Sequence, residues 1–400
     1  MKIVIAGAGV GGLSAALCLA DAGHDLIVIE RAAQLSDVGA GIQCGANAVK
    51  VLDSLGLSSE LTKVAVRPER VDFRDFKTGN ELHSMVLGDD YESRYGAPYL
   101  HLHRSDLLQS LLKGVHQRSN IELQTGVSVS DYGESEHGVT IQLQLGEQSD
   151  QNRDRKINAD LLVAADGIRS TIRAQLLGYS TPKFTGNVAW RGVVDTSNLP
   201  SNWMDTVVSN FVGPNKHMVL YYLRAKRLAN FVGVVEDRQW TQTSWTSKAS
   251  WEQLRGDFSG WHPTVGQIIN AVEKQSCYRW ALFDHDPLTN WSSERVTLLG
   301  DAAHATLPFM ASGAAMAIED ARILQRAIDQ AKDTPSALQL YQRNRFERTA
   351  RIQKNSAKAG KLYHFKSSLM RKAAFSGFKI LSAKQESFLP DYDANTVTLK

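Results

Sequence analysis

A chain of 400 residues, 43% apolar and 22% charged, has material for two domains, or for one large domain with a second layer, and its composition argues against disorder. Its 45 basic and 42 acidic residues leave a balance of +3, which gives no electrostatic reason to expect nucleic acid. Cys18, Cys44 and Cys277 stand far apart and are odd in number, so they read as reduced thiols of a cytoplasmic protein with no metal site. No apolar run of about 18 residues marks a membrane-spanning helix.

The opening "MKIVIAGAGVGGLSAALCLA" has the small apolar texture of a secretory signal, but the glycines at 7, 9, 11 and 12 argue otherwise. Ile3–Ala6 predicts a strand, Gly7-Ala8-Gly9-Val10-Gly11-Gly12 a tight turn, and Leu13, Ala16, Leu17 and Ala20 a helix that ends at Gly23. A second strand, Leu26–Ile29, finishes at Glu30. In such a βαβ unit Gly7 makes the turn, Gly9 admits a pyrophosphate and Gly12 lets helix and strand pack closely. The helix amino end then offers N–H groups to phosphate, and Glu30 accepts from ribose hydroxyls. An acid here suits a plain 2′-hydroxyl ribose, which leaves FAD and NAD both open.

Two further strands end at aspartate turns, "LLVAADGIRSTIR" (161–173) and "VTLLGDAAHATLP" (296–308), each placing a carboxylate where ligands meet open α/β sheets. No second G-x-G-x-x-G occurs. Between them, Val188 to about Val235 reads as strands without intervening helices, predicting an antiparallel sheet that roofs a pocket. His217 and Tyr221 are four apart there and share one strand face, with Tyr222 on the other. Small residues from Pro308 to Ala315 lead into an alanine-rich helix, where backbone can approach an anionic ring edge. From Ser336 to Ile380 the chain reads as helical and basic through Arg343, Arg345, Arg348, Arg351, Lys354, Lys358 and Lys361; it is expected to cover the nucleotide-binding domain or form a homodimer contact rather than meet a membrane.

Gly7-x-Gly9-x-x-Gly12 with Glu30, Asp166-Gly167 and Gly300-Asp301 resemble the three signatures of the single-component FAD-dependent aromatic hydroxylases, the para-hydroxybenzoate hydroxylase superfamily, from residue 1 to about 350. The stretches "DVGAGIQCGANAVKVLDSLGL", "HRSDL", "AWRG", "WALFDHDPLTNW" and "PFMASGAAMAIEDA" are most similar to salicylate, 3-hydroxybenzoate and 6-hydroxynicotinate hydroxylases. The resemblance implies a mixed α/β (α+β) fold: a Rossmann-like FAD-binding βαβ domain (1–75, 100–180 and 283–340), an antiparallel-sheet substrate domain (76–99 and 181–282) and a C-terminal helical region (341–400). It implies bound FAD, NADH or NADPH as a transient donor in an open groove, and O2. A flavin C4a-hydroperoxide would then hydroxylate a small activated aromatic or N-heteroaromatic ring. Hydroxylation or epoxidation of a larger hydrophobic ring, and a non-catalytic flavin-binding redox sensor, are the alternatives.

Carried onto single residues, the resemblance places Glu30 and Arg31 at the adenosine ribose, Gly41 at the cofactor, and Arg104 at the pyrophosphate or ribityl region. Asp166 supports flavin and nicotinamide, Gly300 and Asp301 take the ribityl chain, and Pro308, Gly313 and Ala314 wrap the isoalloxazine ring. His217 and Tyr221 are the expected catalytic pair beside the substrate hydroxyl. Gln43, Arg191 and His304 are expected substrate contacts; Gln43 stands where 6-hydroxynicotinate enzymes carry a histidine, which counts against that substrate.

Overall fold

Five short apolar strands pair in parallel in the order Val296–Leu298, Leu161–Ala164, Lys2–Ala6, Asp25–Glu30 and Ile121–Thr125. The computed structural model describes every residue except 36–39, 146–154, 179–180, 239, 241–245, 276 and 386, so Asp37, Val38 and Gly39 of the quoted stretch lie outside the described residues. Ile3, Val4, Ile5, Leu161, Leu162 and Val163 are wholly buried, as strands covered on both faces require. Helices Val10–Asp21, Arg104–His116 and Gly313–Gln330 pack together as one cover. A three-stranded antiparallel sheet, Val127–Ser135, Gly138–Leu145 and Arg155–Ala159, packs against the parallel strands as well. The expected mixed α/β fold is therefore present.

The strands expected between 188 and 235 are found as Lys183–Asp195, Val208–Gly213, Lys216–Leu223 and Leu228–Glu236, within an eight-stranded sheet. This sheet also contains Arg70–Asp75, Glu81–Val86, Thr246–Lys248 and Tyr278–Asp284. Arg70–Asp75 joins Val208–Gly213 in parallel, the one departure from antiparallel pairing in the sheet's described register. A parallel join needs a long crossover, and here the crossover carries Arg104–His116, the three-stranded antiparallel sheet and two of the five parallel strands, Ile121–Thr125 and Leu161–Ala164.

Strand period two gives the large sheet two unlike faces. Met218, Leu220, Tyr222 and Phe231 point outward onto helices Trp251–Asp257 and Pro263–Asn270 and form a separate core with Leu254 and Ile268. His217, Val219 and Tyr221 point the other way, toward the nucleotide-binding unit, where Val219 packs against the main core. The expected C-terminal helices are Thr334–Tyr363 and Ser368–Gln385, after which the chain returns to lay Phe388 and Tyr392 over Arg348. Arg345 and Arg348 of the basic helix thus turn inward rather than to solvent.

Candidate active site

At the carboxyl edge of the parallel sheet, Gly7 leaves the first strand with φ of 105°, and a Cβ there would lie 2.3 Å from the Ala165 carbonyl oxygen. A Cβ on Gly12 would lie 1.9 Å from the Gly7 carbonyl oxygen, whereas one on Gly9 would meet nothing within 4 Å. The chain therefore closes on itself at Gly7 and Gly12 and stays open above Gly9. Helix Val10–Asp21 has no side-chain cap and no acid in its first turn, so its positive end is left for a ligand anion. Glu30 accepts N–H groups from Ala8 and Ala32, both at 2.8 Å, which fixes its carboxylate beside that end; Arg31 next to it is exposed.

Asp166 lies in the turn that follows strand Leu161–Ala164. Its Oδ2 accepts from the Thr171 N–H at 3.1 Å, while Oδ1 is buried without a partner. Burial pushes its pKa up against the pull of hydrogen bonds from Ser170 and backbone N–H groups. Arg173 donates to the Ala302 carbonyl at 3.1 Å and so ties this turn to the Gly300 turn. There Gly300 takes φ of 62° and Asp301 opens a short helix with its side chain exposed. Although solvent reaches Asp301, the protein crowded around its carboxyl desolvates it and raises its pKa, opposed by the charges of His304 and Arg104.

Pro308–Met310 forms a 3-10 turn, Ala311 follows with φ of 49°, and helix Gly313–Gln330 starts with neither a side-chain cap nor an acid in its first turn. Two uncapped helix ends, an orphaned Asp166 oxygen and clearance above Gly9 fit a long cofactor with an anionic linker and an anionic ring edge. Gly7, Gly9, Gly12, Glu30 and Arg31 lie at one end of this cradle, and Gly300, Asp301, Pro308, Gly313 and Ala314 at the other. Arg104, exposed and near Asp301, stands at the second end.

His304 does not face the cradle. Its Nε2 bonds Asp320 Oδ2 at 2.6 Å, its ring lies against Trp291, and it is 1% exposed. The same Oδ2 accepts the Gly300 N–H at 3.0 Å, and Arg345 holds Asp320 Oδ1 at 2.6 Å. The expected substrate contact is a buried anchor of the Gly300 turn.

The inward face of the large sheet supplies the opposite wall. Antiparallel register aligns Arg191, Val232 and Val219 in one row across three strands, and all three are only partly buried. The flanking rows are buried: Ala189, Val234 and His217 on one side, Asn230 and Tyr221 on the other. His217 and Tyr221 therefore bound a partly buried row at a separation of about 13 Å along the strand, four residues at ~3.3 Å each. Tyr221 packs on Gly41, where a Cβ would sit 2.4 Å from its ring, and Asn230 accepts the Gly41 N–H at 2.8 Å. Its ring is 4.6 Å from that of His101, and Gln43, which influences Tyr221, accepts from the Tyr99 hydroxyl at 2.6 Å.

Burial raises the pKa of Tyr221, which stays a neutral donor. Burial, reinforced by His364, lowers that of His217 well below the usual histidine value, leaving a neutral imidazole. Burial also pulls His101 down to about 3 and pushes the Cys44 thiol up to about 12, so Cys44 is a filler. Arg191 is a guanidinium whose Nε is buried without a partner. Burial lowers its pKa, the Arg104 charge adds to that, and no carboxylate opposes it.

Residues 1–356 match the family model of an FAD binding domain. The chain is 37% identical to a 3-hydroxybenzoate 6-hydroxylase of Polaromonas naphthalenivorans, covering 91% of this chain and 88% of the relative. It is 35% identical to a 6-hydroxynicotinate 3-monooxygenase of Bordetella bronchiseptica, covering 89% and 90%. The chain belongs to the FAD-dependent aromatic hydroxylase family. The crystal structure of Klebsiella pneumoniae HpxO complexed with FAD and uric acid superposes with a TM-score of 0.83 at 27% identity, over 98% of this chain and 97% of that one.

As a family member the protein binds FAD, and the glycine, Glu30, Asp166 and Gly300 motifs meet at one cleft although they are scattered over the sequence. His217, Tyr221, Gln43 and Arg191 gather on its far wall, and His304 does not join them. The sequence did not single out Tyr99, His101, Asn230 or His364, and it marked Phe309 only as part of the Pro308–Ala315 stretch. His101 and Tyr99 precede the Arg104 motif without a periodic signal, and His364 lies on a helix end that no strand pattern connects to His217.

Proposed function

We propose that this hydroxylase acts on a small ring acid, an aromatic or N-heteroaromatic ring bearing one carboxylate and one ionisable hydroxyl. The observation that carries the reading is Arg191: a guanidinium with a buried, unpartnered Nε, set in the partly exposed row between His217 and Tyr221. A partly buried cation with no carboxylate partner among the described residues calls for one from a ligand. A carboxylate beside Arg191, with Tyr221 donating to it, would orient the ring, and His217 would face the hydroxyl as a neutral base. Electron density pushed from an ionised hydroxyl into the ring makes its carbon the nucleophile. FAD, once reduced by NADH or NADPH, supplies the activation of O2 for transfer to that carbon. The chain's contribution is orientation, proton removal and exclusion of water by the sheet roof and the Pro308–Met310 turn.

The similarity to 3-hydroxybenzoate and 6-hydroxynicotinate enzymes supports this class, and Gln43 beside Tyr221 favours the carbocyclic ring over the hydroxypyridine. The test is a ring panel scored by perturbation of flavin absorbance and by NAD(P)H oxidation: hydroxybenzoates, hydroxynicotinates, the same rings without the carboxylate, and larger quinone precursors. A hydroxybenzoate is expected to bind and stimulate, and its decarboxylated partner to bind more weakly by about tenfold or more, the size of a charged hydrogen bond lost. Arg191→Met should remove that preference while retaining FAD. A preference for larger neutral rings would overturn the assignment.

A further inference from the structure

His217 is joined to a second histidine and then to a surface carboxylate. His217 Nδ1 lies 2.8 Å from His364 Nε2, and His364 Nδ1 lies 3.2 Å from Glu236 Oε1. His217 is 2% exposed and the Glu236 side chain 32%, so the three groups lead from the inward face of the large sheet to solvent. The geometry is built, not incidental. His364 caps the C-terminal end of helix Thr334–Tyr363, and its carbonyl accepts the Asn215 N–H at 3.1 Å. Asn215, at φ of 59° in the hairpin before His217, also accepts the Glu236 N–H at 3.0 Å. One turn therefore positions all three members.

We propose that His217, His364 and Glu236 form a proton path out of the ring cavity, with His364 and Glu236 as positioning and relay residues for the base; this rests on the ring-acid reading above. The surface end sets the tautomers. A carboxylate only accepts, so His364 carries its proton on Nδ1 and presents a bare Nε2. His217 then donates from Nδ1, which leaves its own Nε2 bare as the base. On transfer the ring O–H bond breaks and its proton joins His217 Nε2. The Nδ1 proton of His217 passes to His364 Nε2, and the Nδ1 proton of His364 passes to Glu236 and on to water. No oxidant or reductant enters this sequence, and the ring oxygen keeps the electron pair.

The surrounding ionisable groups have partners elsewhere. Tyr363 donates to the Phe309 carbonyl at 3.3 Å, and the Lys216 ammonium donates to the Asp257 carbonyl. Asp75, two strands away on the same face, holds Arg371 at 3.1 Å, and Asp237 pairs with Arg279. Phe309 of the Pro308–Met310 turn packs edge-on against His217, with ring centroids 5.3 Å apart, so the path starts beside the small-residue loop of the cradle.

The experiment mixes anaerobic holoenzyme with 3-hydroxybenzoate in dilute buffer containing phenol red. Proton release and the flavin absorbance change are followed together. His364→Phe and Glu236→Gln are expected to bind the ring acid with near wild-type Kd and keep their FAD, but to release the proton more slowly by about a hundredfold, the scale of a general-base contribution. Free imidazole should restore the rate in His364→Gly, which a purely structural role would not produce. Wild-type release in both variants overturns the path and leaves the ring-acid reading standing. A wild-type protein that binds no ring acid overturns both. If His364→Phe does not fold, Glu236→Gln at its partly exposed site decides alone.

Discussion

Gly9 and Gly12 lie in the same turn yet answer to different demands. Gly12 has the Gly7 carbonyl oxygen 1.9 Å from where a Cβ would be, and Gly9 has nothing of the chain within 4 Å. Gly12→Ala is therefore expected to damage folding, giving insoluble protein or a melting temperature lowered by several degrees. Gly9→Ala should melt like wild type without cofactor and bind FAD at least tenfold more weakly, because only a ligand needs that space. Thermal melts with and without added FAD separate the two. At this scale the sequence was most legible where one residue type answers one local demand, as in the glycine turn and Glu30. It was least legible where a side chain has two neighbours far away in the chain: His304 looked like a substrate contact and proves to be an anchor because its partner, Asp320, lies on the following helix.

The elements are held at the cleft by a buried charge network between helices Gly313–Gln330 and Thr334–Tyr363. Glu319 and Asp320 are wholly buried, Arg345 meets both, and Arg348 and Asn47 meet Glu319 at 2.7 and 2.6 Å. Burial alone would raise the Asp320 pKa, but His304 and Arg345 outweigh it and hold it at about 2. A depressed carboxylate contributes stability that is present above the unfolded value near ~3.9 and is lost as pH falls through the folded value. The melting temperature is thus expected to fall between about pH 4 and pH 2, and Asp320→Asn should lower it at neutral pH and flatten that acid limb. Breaking one partner of such a buried network costs about 3–5 kcal/mol. Because Asp320 also holds the Gly300 N–H, FAD affinity should drop in the same variant. The strands of the roof were readable from their alternation, whereas the parallel join of Arg70–Asp75 to Val208–Gly213 was not, since no local pattern names a partner so distant in sequence.

Across the whole molecule, the carboxyl edge of the parallel sheet and the inward face of the large sheet bound one cleft, and the C-terminal segment packs over helix Thr334–Tyr363. Arg348 donates to the Phe388 and Leu389 carbonyls at 2.9 and 3.2 Å, Phe388 lies over Arg351 and Tyr392 over Arg345 and Arg348, and Ala394 is wholly buried. The basic helix thus spends its inward arginines on this cover, which composition alone left open between a domain cover and a dimer contact. A chain ending at Gln385 is expected to bind FAD but to melt several degrees lower and to expose the Glu319 and Asp320 network to water, seen as faster amide exchange in helix Gly313–Gln330.

We propose that the cleft transfers one oxygen atom from O2 to a ring acid at the expense of NAD(P)H. The most direct test is mass spectrometry of the product after turnover of purified, flavin-containing protein with NADH or NADPH and a hydroxybenzoate under 18O2. The expected product is a hydroxylated ring acid carrying a single heavy oxygen, formed only when the ring acid, the reduced nicotinamide and O2 are all present. Nicotinamide oxidation with no ring product, or a product whose new oxygen comes from water, would contradict it.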